Sequence, residues 1–119
     1  MNTEISDNKE IWFNLVRFLT QTTGKKPSDL NAVLFLIGLQ ELGKGTASFS
    51  KEEKQDLIHI AVCKVLSLGD YYTLDGLDAD GWPHWTLQKE LPSFDLISQE
   101  NLLKHYVIEY FRTEVGVHI

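Results

Sequence analysis

The stretch from about Asp29 to Leu42 constrains this chain most: Leu30, Ala32, Val33, Leu34, Phe35, Leu36, Ile37 and Leu39 leave its middle apolar all round. A helix without a polar face is stable only at the centre of a bundle, covered on every side. The competing reading of so short an apolar run is a buried parallel strand, but no strand–helix alternation accompanies it. Three other stretches carry a helical apolar period and supply the cover. From about Asp7 to Gln21, Trp12, Leu15, Val16 and Leu19 share a face that Ile11 and Phe18 widen, with Asp7 as cap. Phe13 falls about a quarter-turn away and should be exposed, a hint of a contact surface. The turn after it, Thr22 to Pro27, sets Ser28 as the next cap.

The third helix opens on Ser50-Lys51-Glu52-Glu53, a capping box in which hydroxyl and carboxylate satisfy two otherwise free backbone donors. It should run to about Leu68. Leu57, Ile58, Ala61, Val62, Val65, Leu66 and Leu68 fill half its circumference and leave His59, Cys63 and Ser67 in a row along one border. The fourth, about Ser98 to Glu114, should bury Leu103, Val107, Tyr110 and Phe111. Glycines at 43, 45 and 69 end the second and third. The expected fold is therefore all-α: a single domain, residues 1–119, forming a bundle of about four helices. Residues 1–6 and 115–119 are expected as flexible or partner-dependent tails.

Between the third and fourth helices, Asp70 to Ile97 shows no helical period, and loops beyond about 12–15 residues without regular structure are uncommon in compact domains. Tyr71, Tyr72, Trp82, Trp85 and Phe94 make it the most aromatic part of the chain, which argues against disorder. An irregular excursion packed over the bundle is the expectation. Charge narrows the partners: 11 Lys and Arg against 17 Asp and Glu give 11 − 17 = −6. Nucleic acid and anionic membrane surfaces both need clustered cations, so neither is expected. No apolar run approaches the roughly 20 residues that span a bilayer, which points to the cytoplasm. One cysteine excludes an internal disulfide and a Cys-rich zinc module.

The string Asp75-Gly76-Leu77-Asp78-Ala79-Asp80-Gly81-Trp82-Pro83-His84-Trp85 sets three carboxylates beside two indoles. Against a calcium loop aligned on Gly81, Asp78 and Asp80 fall at ligand positions, but Gly76 and Leu87 replace two main carboxylates. An acidic turn whose Asp side chains cap local amides fits better. Trp82 and Trp85 either fold onto the bundle as anchors around Pro83, or form an aromatic wall whose neighbouring carboxylates favour a cationic ligand. The anchor role is expected of at least one. His59 and Cys63, four apart on a helix, could chelate a metal with His84 or His105, yet any amphipathic helix can show this spacing, and no metal or cofactor is expected. Glu41 and Glu100 have ordinary explanations: solvent at a helix end, and a first-turn dipole contact.

Leu39-Gln40-Glu41-Leu42-Gly43, Lys54-Gln55-Asp56-Leu57-Ile58-His59, Asp80-Gly81-Trp82-Pro83-His84-Trp85 and Gln99-Glu100-Asn101-Leu102-Leu103-Lys104 together resemble a family of small uncharacterised bacterial proteins. The resemblance implies a bacterial cytosolic origin and carries no activity. The function expected is non-enzymatic: an interaction or accessory protein with a protein partner, or self-associating as a two-fold dimer. Its distinctive surface would be the aromatic segment. The alternative is a small-molecule binding or catalytic protein with a pocket between residues 70–97 and the bundle. Tyr72, Trp82, His84 and Trp85 would line it, with Asp78 or Asp80 as the polar partner.

Overall fold

The computed structural model describes residues 3–43, 48–92 and 95–119, so the expected roles of Gly45 and Phe94 lie outside the described residues. The described chain runs α1 (Thr3–Thr23), α2 (Leu30–Leu42), α3 (Lys51–Ser67), β1 (Tyr72–Leu77), β2 (Pro83–Leu87) and α4 (Leu96–Tyr110). A π-helical turn, Phe111–Val115, extends α4. The two strands overturn the all-α expectation: the fold is mostly helical but carries a two-stranded antiparallel sheet, and the supposed irregular excursion is largely a β-hairpin. Its register pairs Tyr72 with Leu87, Thr73 with Thr86 and Leu74 with Trp85. Each pair contains a β-branched or aromatic residue, and such cross-strand pairs are the unit that stabilises a sheet. A bulge between Leu74 and Gly76 leaves Asp75 as the extra residue and breaks the alternation that would have marked a strand.

Local capping sets the helix starts. α1 begins before Asp7, the residue expected to cap it. At α2 the cap is Asp29 rather than Ser28: Asp29 Oδ1 accepts from Ala32 N at 2.9 Å. The capping box of α3 forms as expected, with Glu53 N donating to Ser50 Oγ at 3.1 Å and Ser50 N to Glu53 Oε1 at 2.9 Å. α4 begins at Leu96, two residues ahead of the expected start, capped by Asp95, which accepts from Ser98 N at 2.8 Å.

Every helix contributes to one core: Leu15 and Leu19, Val33, Leu34 and Ile37, Ala61, Val65 and Leu66, then Val107, Tyr110 and Phe111. α3, not α2, is the hub: it packs against α2, α4 and β1, while α2 buries Val33, Leu34, Ile37 and Gly38 and leaves Ala32, Phe35 and Leu36 half-buried, short of the full cover expected of a helix without a polar face. α2 and α3 approach most closely at Gly38, where an added Cβ would collide with the Leu57 carbonyl oxygen and lie 2.8 Å from the carbonyl carbon. Only glycine fits there. At the far end of the bundle, Tyr110 donates its hydroxyl to Glu41 Oε2 at 2.7 Å. Burial, and next this carboxylate, push the tyrosine far above its ordinary pKa. Lys64 bridges Glu41 at 3.8 Å and Glu114 at 3.0 Å. Glu41 is thus a structural acceptor rather than a solvent-seeking end group.

The C-terminal residues are tied down. Val117 N donates to Phe111 O at 2.8 Å, Arg112 Nε donates to the Ile119 carbonyl at 3.1 Å, and Val117 and Ile119 pack against the core. Those two apolar side chains therefore serve the fold, while Phe13, 64% exposed, lies free of it as expected. Among the described residues no helix is long and apolar enough to cross a membrane.

Gly38→Ala should lower stability. Overpacking costs about 1–3 kcal/mol and better helix propensity returns up to about 1, so a net loss of about 1–2 kcal/mol is expected in urea unfolding. An unchanged midpoint would show that α2 and α3 stand farther apart than described here.

Candidate functional site

The hairpin tip is organised by Asp78. Its backbone N–H donates to the Trp82 carbonyl at 2.9 Å, and its own carbonyl accepts from Gly81 N at 3.0 Å. Its Oδ1 accepts from the amides of Asp80 at 2.9 Å and Trp82 at 3.0 Å, while Oδ2 lies 2.9 Å from His84 Nε2. Gly81 closes the turn at φ +85°, which strains any other residue. This is the acidic turn that the Asp-x-Asp-Gly string suggested. A calcium loop would need the carboxylate that these bonds occupy. The bond from His84, then that from the Trp82 amide, hold the Asp78 carboxyl below its ordinary 3.8. Beside the bulge, Thr86 Oγ1 donates to Asp75 Oδ2.

The tip turns Trp82, Pro83, His84 and Trp85 toward α3, and together with Asp56, His59 and Ile60 they line a cleft of about 330 Å³. Asp56 and His59 stand three apart and so face the same way from one helix. Of the residues expected to form a site, Asp78, Trp82, His84 and Trp85 come together here, and His59 joins them from α3. Asp56 was missed, although it continues the His59–Cys63–Ser67 row by one turn. Tyr72 does not line the cleft. It lies at the base of β1 near Cys63, where burial first, and second the Cys63 thiolate that forms only at alkaline pH, raise its hydroxyl pKa. Asp80 stays at the turn, its amide bound to Asp78.

Cys63 is fully buried, and burial pushes its thiol up to about 11. Its sulfur lies 3.6 Å from His59 Nε2. His105 is elsewhere, its ring edge-on to Tyr106 at 4.9 Å. Among the described residues no group of three or more His, Cys, Asp or Glu side chains is placed to hold a metal ion.

The electrostatics of the cleft are unbalanced. Three other aromatic rings already carry a cation of the chain: Lys104 over Trp12 at 5.1 Å, Lys89 over Tyr71 at 4.5 Å, Arg17 over Phe13 at 5.9 Å. Among the described residues no cation lies over Trp82 or Trp85, and Asp56 has no ion-pair partner. The Trp85 indole nitrogen is enclosed, with no acceptor among the described residues. Both indoles are half-buried against α3, and neither is among the residues of the core cluster.

No protein-family model, curated protein or solved structure matches this chain. The cleft has to be read from its own chemistry.

Because the folded pKa of Asp78 is depressed, its stabilisation of the tip is complete above the ordinary carboxylate value and fades as pH falls through the lowered one. Hydrogen-exchange protection factors at the Asp80 and Trp82 amides should therefore be higher at about pH 6 than below about pH 3. Asp78→Ala should remove the difference. Equal protection at both pH values in the parent protein would contradict the assignment.

Proposed function

We propose that the protein is a non-enzymatic interaction protein that captures a basic segment of a partner protein, seating one Lys or Arg side chain between Trp82, Trp85 and Asp56. The observation that carries this reading is the cation-free aromatic pair beside an unpaired carboxylate, in a chain that places its own cations over three other rings. An ammonium or guanidinium over an indole gains about 0.5–1 kcal/mol when exposed and about 2 when desolvated. An arginine can also stack its plane on the ring.

The surroundings fit a chain rather than an isolated ion. Leu74, Leu77 and Leu87 on the hairpin are 49%, 67% and 50% exposed, giving apolar contact for residues flanking the cation. The chain's charge of −6 draws basic partners by long-range attraction. Acid–base catalysis has little to work with: Asp78 is committed to the turn and held ionised, and Cys63 is a buried neutral thiol. The bacterial cytosolic setting implied by the sequence resemblance belongs to the same proposal.

Titration with blocked Gly-Arg-Gly and Gly-Glu-Gly peptides, followed by the three indole N–H signals in NMR, tests it. The arginine peptide should shift Trp82 and Trp85 saturably and leave Trp12 unmoved. Asp56→Asn should weaken binding about three- to fivefold, the worth of one exposed ion pair. Trp82→Ala should abolish binding while costing less than the about 3 kcal/mol of a fully buried tryptophan. An equal response to the glutamate peptide, or no saturable shift, would sink the proposal.

A further inference from the structure

A second concavity lies where the turn after α1 meets the first half of α2, and shares no residue with the hairpin cleft. Thr23, Lys25, Lys26 and Ser28 rim it, and Pro27, Ala32, Phe35 and Leu36 form its floor, enclosing about 470 Å³. That volume falls in the range of small-molecule sites, and the lining has their character: an apolar floor with a few polar groups at one edge. The ring of Phe35 meets that of Phe49 edge-on at 6.4 Å.

The charge at the rim decides the ligand. Lys25 and Lys26 are exposed, and among the described residues neither ammonium has a carboxylate partner. Lys25 and Lys26 are adjacent in sequence and both line the same apolar groove, so their two charges fall at one mouth. The turn is held in place: Gly24 N donates to Thr20 O at 2.9 Å, Thr23 Oγ1 donates to Lys25 O at 2.9 Å, and Pro27 fixes the next backbone angle. The two side chains therefore leave from a defined point beside the floor.

We infer that this groove binds a small amphipathic carboxylate, its hydrocarbon chain on Ala32, Phe35 and Leu36 and its head group at Lys25 and Lys26. The site is independent of the hairpin cleft and has the opposite charge preference. A neutral amphiphile would gain the apolar floor alone. A cationic one would meet the two lysines and be repelled.

Decanoate, decanol and decyltrimethylammonium, each titrated below its micelle threshold against the isotope-labelled protein, separate the contributions. Decanoate should shift the amides of Ala32, Phe35 and Leu36 saturably. It should bind about tenfold more tightly than decanol, which is what two exposed ion pairs together supply. The cationic amphiphile should bind more weakly than decanol. In the double variant Lys25→Gln, Lys26→Gln the preference for decanoate should vanish while decanol binds as before. Both changes are at exposed turn positions, and an unchanged amide spectrum elsewhere confirms the fold. Absence of saturable shifts at these amides, equal binding of decanoate and decanol, or a preference that survives in the double variant would each overturn the inference.

Discussion

The packing of Gly38 against the backbone of Leu57 is the constraint on which the rest of this fold depends. α2 has no polar face through its middle and needs cover from several directions, and α3 supplies the nearest wall because no side chain separates the two helices at that point. Close approach there buries Ala61, Val65 and Leu66 on one side of α3 and leaves Asp56 and His59 on the border, where the hairpin meets them. A second contact works in the same way. Gly69 follows α3 in a place where a Cβ would collide with the Tyr106 hydroxyl, so α4 can close over the end of α3 just before the chain turns out into β1.

The hairpin is the part of the molecule least explained by core burial. No residue of either strand is fully buried, and an isolated two-stranded hairpin is marginal in water. What holds this one is polar and local at its tip, where Asp78 gathers two amides and His84, and apolar at its base, where Tyr72 meets α3 beside Cys63. Such an arrangement fixes the backbone without using up the indoles. Trp82 and Trp85 remain half-buried at the edge of a cleft lined by Asp56 and Asp78, and the groove beside the α1–α2 turn carries Lys25 and Lys26 over an apolar floor. The two proposed recognition surfaces, of opposite charge preference, both lie on the periphery of the core.

The helices were legible in the sequence because their signals are local. The apolar period, the Ser50–Glu53 capping box and the exposed position of Phe13 each depend on residues within a few turns of one another. The sheet was not. Its turn was visible in Asp78 to Gly81, but the bulge at Asp75 breaks the alternation of β1, and the pairing of Leu74 with Trp85 joins residues that no local pattern relates. Asp56 escaped notice because its role comes from what the hairpin brings to it. Gly38 carried a readable clue, a lone glycine inside a helical pattern, whose meaning only the neighbouring helix supplies. The bond from Tyr110 to Glu41 spans 69 residues and gives no sequence signal at all.

The central claim is that the hairpin is docked on α3 with its indoles beside Asp56 and His59. The most direct measurement is nuclear Overhauser contact between the Trp82 and Trp85 ring protons and the side chains of His59 and Ile60, recorded with the backbone heteronuclear relaxation of residues 72–87. The account predicts contacts from at least one indole to both α3 residues and hairpin amides as rigid as those of α3. Indole protons with contacts only inside the hairpin, together with amides that move independently of the helices, would contradict it.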